Sequence, residues 1–164
     1  MPRSLIIGYG NIDRGDDGVA YAVVNALRRS RGLLPLGEEE TGLEALGAET
    51  DTLFLSQLTP ELVETLCPYD RIVFVDAHAT TDLPEVHCQS VSADGAPALL
   101  LHHFTPGLLL GLLKILYGRE PAALLLSVRG HDFDFRRGLS PKTQAWARQA
   151  AERLKAWLGE ASRS

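Results

Sequence analysis

The chain reads as an α/β protein in which a mostly parallel sheet is covered by helices on both faces and carries one antiparallel edge strand. Residues 5–9 and 71–77 hold uninterrupted apolar runs, Leu5-Ile6-Ile7 and Ile72-Val73-Phe74-Val75. Such runs have no wet face and require burial on both sides. Residues 85–91 alternate instead, with Val86, Cys88 and Val91 among polar neighbours, the pattern of an edge strand with one solvated face. The intervening segments place apolar residues at helical spacing, and alternation of this kind builds α/β/α layers.

Each element has its own local grammar. The first strand closes on Gly8 and Gly10 and delivers a loop. From Asp16 onward Val19, Ala20, Val23, Val24 and Leu27 recur at helical spacing, with acidic residues at the start and Arg28, Arg29 and Arg31 at the end, as the helix dipole favours. Residues 33–50 are rich in Gly and Glu, contain Pro35 and show no period, so they form a loop. Residues 52–56 make the second strand, and Thr59-Pro60-Glu61-Leu62 opens a helix with the Thr59 hydroxyl as its cap. Thr105-Pro106 opens another, running through Leu109, Leu110, Leu113 and Leu116 to a stop at Gly118. Residues 124–128 are a further buried strand. Ser140-Pro141 caps a long amphipathic helix carrying Ala145, Trp146, Ala150, Leu154 and Trp157, and the tail beyond Gly159 frays.

With 164 residues, 45% hydrophobic and 23% charged, the chain suits one domain spanning residues 1–164. A net charge of -5 argues against a grip on nucleic acid or on an anionic membrane. Cys67 and Cys88 form no CxxC pair and suit a reducing interior. Leu5-Ile6-Ile7 is too short for a signal core, and the apolar stretch 99–116 is interrupted by His102, His103, Thr105, Pro106 and Lys114. The expectation is a soluble, cytoplasmic monomer.

Ligands in open sheets of this type bind at the carboxyl ends of the central strands, which singles out the loops after Tyr9, Val75 and Val128. The first loop, Gly8-Tyr9-Gly10-Asn11 through Gly15-Asp16-Asp17-Gly18, invites a dinucleotide reading. The third glycine of that fingerprint would fall on Asp13, and two carboxylates at the helix start would repel pyrophosphate. Asp16 and Asp17 also have a bland explanation as cap and dipole partner. Asp76 does not, because a carboxylate directly after four buried apolar residues is costly unless paired, capped or bound to a cation. With the imidazole of His102 or His103 before the third helix, these carboxylates form a mixed oxygen and nitrogen set suited to nickel or zinc. His78 and His87 are expected to face solvent, His131-Asp132 lie at the correct sheet end, and Cys67 is expected as buried packing. A covalent nucleophile has no good candidate, since there is no GxSxG elbow and no cysteine in a strand-to-helix turn.

Nearly the whole chain resembles the maturation proteases of nickel-iron hydrogenases, which trim the carboxyl-terminal extension of the large subunit. The resemblance is carried by Ile7-Gly8-Tyr9-Gly10-Asn11 with Gly15-Asp16-Asp17-Gly18, by Gln57-Leu58-Thr59-Pro60-Glu61-Leu62, by Val73-Phe74-Val75-Asp76-Ala77, by His102 four residues before Pro106, and by Gly138-Leu139-Ser140-Pro141. It implies a five-stranded sheet and a nickel-contacting triad of Asp17, Asp76 and His102; catalysis is then expected from the catalytic pair Asp17 and Asp76, one of them as general base, or from the metal as a Lewis acid. Asp16 and His103 stand as secondary candidates, and Gly10, Asn11 and Gln57 as substrate-loop residues. It further implies that nickel arrives with the precursor and that no organic cofactor is needed. The rival readings are a flavodoxin-like or nucleotide-binding module and a docking chaperone that does not cut.

Overall fold

A computed structural model of the chain describes residues 2–93 and 104–163, with side chains through residue 159. Its elements are β1 (Ser4–Tyr9), a 3-10 turn (Gly15–Gly18), α1 (Val19–Ser30), a second short turn (Leu43–Ala45), β2 (Thr50–Leu55), α2 (Leu62–Leu66), β3 (Arg71–His78), β4 (Val86–Ser90), α3 (Pro106–Tyr117), β5 (Ala122–Arg129) and α4 (Pro141–Arg163). The sheet order is β2-β1-β3-β5-β4, with β4 antiparallel to β5 and the other pairs parallel. This is the expected mostly parallel sheet with an antiparallel edge. Among the described residues no helix is long and apolar enough to cross a membrane.

Alternation along each strand sorts the core into two layers. Ile6, Val73, Val75, Leu126 and Val128 face α1 and α4, where Val23, Leu27, Ala150 and Leu154 meet them. Leu5, Ile7, Ile72 and Phe74 face α2 and α3, where Leu66, Leu109 and Leu113 meet them. The uninterrupted apolar runs of β1 and β3 are thereby explained, since both faces are dry. Full burial of each such side chain contributes about 1.5–3 kcal/mol, so the two central strands anchor both layers.

The crossover through α1 goes to β2 and that through α2 returns to β3 on the far side of β1. Helices α1 and α2 lie on opposite faces. The chain therefore departs in two directions from the carboxyl ends of neighbouring β1 and β3, which leaves a crevice there.

Helix ends partly follow the expected grammar. The Thr105 hydroxyl accepts a bond from the Leu108 amide at 3.2 Å, Pro106 fills the first turn, and Gly118 closes α3 in the left-handed region at φ 65°. The hydroxyl cap expected for α2 is not made. In α2 the Thr59 carbonyl starts the turn by accepting from the Leu62 amide at 3.1 Å, while its hydroxyl serves the Glu61 carboxylate. The hydroxyl donates its proton to that carboxylate, a charge-assisted bond that fixes its rotamer, and this five-residue helix carries no side-chain cap. At α4 the Ser140 hydroxyl donates to Asp16 Oδ2 at 2.7 Å and lies 3.1 Å from Thr143 Oγ1 in the first turn of the helix.

Asp16 itself makes no cap for the turn it occupies, and its side chain is wholly buried. Its Oδ2 accepts from the amides of His131 at 2.7 Å and Asp132 at 3.0 Å and from the hydroxyls of Ser140 at 2.7 Å and Thr143 at 2.8 Å. Its Oδ1 accepts from the Ser140 amide at 2.7 Å. Although burial opposes ionisation, these donors together hold the carboxyl down at about 2. The backbone adds to the knot, with Gly15 donating to Arg136 at 2.8 Å and Asp16 to Asp132 at 2.7 Å. One buried charge thus ties the loop after β1 to the loop after β5 and to the start of α4.

Replacing Asp16 with alanine leaves three buried amides without an acceptor and should cost about 3 kcal/mol or more, read as a fall in the urea midpoint. Because its pKa is lowered in the fold, its contribution is present above pH 4 and fades as the pH falls toward 2. The stability difference between wild type and variant should therefore shrink in that window.

Candidate functional site

The crevice is shaped by a backbone that folds back on itself directly after β1. Gly10 sits at φ 147° and donates to the Leu55 carbonyl at 3.1 Å, which brings the ends of β1 and β2 side by side. A side chain at Gly10 would be driven into the Asp17 carbonyl. The Asn11 amide donates to Asp17 Oδ2 at 2.8 Å, and Asn11 Oδ1 accepts from the Asp13 amide at 2.9 Å. Residues 10–17 thus close a loop around the Asp17 carboxylate, which remains half-buried. Gln57 is exposed on the turn just beyond β2, on the same rim as Asn11.

Asp76 lies in β3, one residue past the dry run, on the face that carries α2 and α3. Its Oδ1 accepts from the Ala77 amide at 2.7 Å. Tyr9 occupies the corresponding place at the end of β1, on the same face as Leu5 and Ile7, and its hydroxyl bonds to the Asp76 carboxylate. Burial dominates the Asp76 environment and, with the Asp17 charge adding to it, pushes the carboxyl up to about 6 despite the two hydrogen bonds. Burial and the Asp76 charge push the Tyr9 phenol upward too, so Tyr9 stays a proton donor at any ordinary pH.

The structure therefore brings Asp17 and Asp76 to one crevice within electrostatic reach of each other, and separates Asp16 from them. Asp16 was a rival ligand by sequence, yet its oxygens are consumed by the knot described above. His102 and His103 lie outside the described residues. Where the chain resumes, Phe104 packs on the α2–α3 side of the sheet, the side toward which Tyr9 and Asp76 project. Among the described residues no group of three or more His, Cys, Asp or Glu side chains is arranged to hold a metal ion. Two carboxylates with hard oxygen donors suit a divalent cation, and such a cation would relieve the repulsion between them.

Tyr9 escaped the sequence reading. Its signal was the period of two in β1, which puts residue 9 on the same face as 5 and 7 and ends that row in a polar group. His78 also differs from its expected place on an exposed loop. It is the last residue of β3, with Nδ1 2.8 Å from Ser127 Oγ and a half-buried ring whose pKa is lowered chiefly by burial. β3 runs further than the apolar run because the register with β5 continues through His78 and Arg129. His87 stays partly exposed on the edge strand β4, in keeping with the expectation, with Nε2 3.1 Å from Gln89 Oε1. His131 lies at the rim, where its Nδ1 meets Thr143 Oγ1 at 3.0 Å, and so belongs to the Asp16 knot. Cys67 is half-buried, its Sγ 3.7 Å from the Val63 carbonyl.

Neither a family model nor a curated protein sequence matches the chain. Solved structures do. The hydrogenase maturating endopeptidase HybD from E. coli superposes with a TM-score of 0.71 over 97% of this chain and 93% of that one, at 22% identity. The [NiFe] hydrogenase maturation protease HycI from Thermococcus kodakarensis gives 0.63 over 93% and 90%, at 20% identity. The hydrogenase 2 maturation peptidase of a Thaumarchaeota archaeon gives 0.63 over 96% and 98%, at 19% identity. The chain shares the fold of the hydrogenase maturation endopeptidases. Each superposition covers at least 90% of both chains, so the likeness is one of the whole fold and not of a local motif.

Two outcomes follow from the site geometry. Gly10→Ala should destabilise the fold by at least about 1 kcal/mol and shift the amide resonances of Asn11 and Asp17 in nuclear magnetic resonance spectra, since the loop cannot close around a methyl group. Asp76→Asn should stabilise the protein at neutral pH. A raised pKa means that the ionised Asp76 costs stability, and this cost is absent below pH 4 and grows as pH rises through about 6. Thermal melts at pH 8 should favour the variant by about 1–3 kcal/mol, with the two proteins converging near pH 4.

Proposed function

We propose that the chain is an endopeptidase of the nickel-iron hydrogenase maturation family, which removes the carboxyl-terminal extension of a nickel-loaded large-subunit precursor. The observation that carries this reading is the coupled Asp17–Asp76 pair, seated in the crevice of a fold shared with hydrogenase maturation endopeptidases. The motif series that surrounds the pair supports the same conclusion.

In this reading nickel is part of the substrate, and no organic cofactor takes part. The metal in the precursor docks against Asp17, Asp76 and His102, which fixes the neighbouring scissile bond in the crevice. Positioning of this kind supplies much of the rate. Water then attacks the carbonyl of that bond. A carboxylate that titrates near 6 is ionised at neutral pH yet basic enough to take the proton from water, and Asp76 has that property. Tyr9 holds one side of Asp76 and leaves the other toward Asp17. Gly10, Asn11 and Gln57 line the rim over which the precursor backbone would pass. The protein acts as a monomer in the cytoplasm, where such precursors are assembled.

A phosphate-binding module is disfavoured because the turn that should receive phosphate presents Asp17 and the buried charge of Asp16 instead.

Incubation with a nickel-loaded precursor, followed on a denaturing gel, should give a shortened large subunit. Asp76→Asn and Asp17→Asn should abolish trimming while leaving the circular dichroism spectrum intact, and His102→Ala should do the same. The wild-type rate should rise with pH through about 6 as Asp76 ionises. Normal trimming by the Asp76→Asn protein would sink the assignment.

A further inference from the structure

On the other side of the sheet from the crevice, a groove of 640 Å³ runs between α1 and α4. Its floor is apolar and shallow, made by Ile12, Ala22, Ala26, Leu139 and Ala147. Small side chains from both helices leave the space that larger ones would fill.

The charges around it are uneven. Arg137 at one edge is neutralised by Asp13 at 2.7 Å and by Glu38. Arg29 and Arg148, which also line the groove, have no partner. Among the described side chains, through residue 159, every other arginine except Arg31 is engaged by a carboxylate, a carbonyl or an aromatic ring. Two free guanidiniums above an apolar floor, in a protein of net charge -5, fit an anion attached to a small apolar body.

The groove also has a direction. Gly15 and Gly18, in the turn that carries Asp17, form one end, and Arg29 lies at the far end of α1. That distance is eleven residues of helix, roughly 16 Å, which an extended chain covers in about five residues.

We propose that the α1–α4 groove is a peptide subsite that seats a short apolar segment ending in a carboxylate, with the anion held by Arg29 and Arg148. Resting on the function proposed above, that segment is the free carboxyl end of the precursor extension. The groove captures the piece to be removed, while the crevice holds the bond to be cut.

The test uses a fluorescent peptide made of the last six residues of the precursor, prepared as the free acid and as the carboxyl-terminal amide. The free acid should bind the full-length protein, and the amide at least tenfold more weakly. Arg29→Ala/Arg148→Ala should bind the free acid at least tenfold more weakly, with an unchanged melting temperature because both residues are exposed, and Arg29→Lys/Arg148→Lys should recover part of the loss. With whole precursor, the double alanine variant should raise KM and leave kcat alone. Equal binding of acid and amide, absence of binding, or indifference to both substitutions would overturn the subsite. The peptide measurement stands apart from the cutting assay: a protein that trims precursor yet ignores the peptide keeps its activity and loses the groove, and one that binds the peptide without trimming does the reverse.

Discussion

The structure depends on a single buried carboxylate. Asp16 has no exposure and gathers five donors from two segments more than a hundred residues away in sequence. A charge taken out of water is tolerable only where donors replace its hydration, and here they are mostly backbone amides, which cannot be supplied unless the loop after β5 is folded correctly. The interaction is therefore conditional in both directions. The β5–α4 loop is ordered by the anion, and the anion is stable only inside that loop. The turn that sets Asp17 at the crevice inherits its position from this arrangement.

Asp16 and Asp76 show how surroundings separate two identical side chains. Both are removed from water, yet one is held near 2 and the other is raised to about 6. The difference lies in donor count and in the sign of the neighbouring charge. Asp16 is saturated and faces no other anion. Asp76 has the Ala77 amide and the Tyr9 hydroxyl, and it faces Asp17. A site that leaves a carboxylate under-supplied in this way has given up stability, which is the usual mark of a group kept for binding or proton transfer rather than for folding.

How much of this was legible beforehand differed with the kind of interaction. The strands were readable because dry apolar runs and an alternating edge are properties of contiguous residues, whereas the order of the strands depends on how distant crossovers pack and was no part of the expectation. Asp76 was readable for the same reason, as a charge at the end of a dry run. Asp16 and Asp17 could not be told apart, because what distinguishes them is a loop 115 to 127 residues further along. The Ser140 hydroxyl shares that cause, since it donates to a carboxylate 124 residues away, whereas the carboxylate that takes the Thr59 hydroxyl is the neighbouring Glu61. Tyr9 was hidden in the opposite way, since its glycine neighbours drew attention to the backbone and away from its side chain. His102 and His103 lie outside the described residues, so the histidine arm of the proposed triad rests on sequence alone.

The turn from Gly15 to Gly18 is the common wall of two spaces. One side faces the crevice through Asp17, and the other contributes Gly15 and Gly18 to the α1–α4 groove. Gly18 lies against Ile12, so that a methyl group there would crowd the Ile12 backbone, and Ile12 follows directly on Asn11, whose amide holds Asp17. The wall is thus only one residue thick and is packed without slack. Its rigidity comes from Asp16, the side chain between the two glycines. The anion buried in this turn is held by donors from the β5–α4 loop and the start of α4 rather than by contacts to either space. Asp17, the next residue, is thereby presented at the crevice by a turn anchored from the far end of the chain, with its Oδ2 held by the Asn11 amide at 2.8 Å.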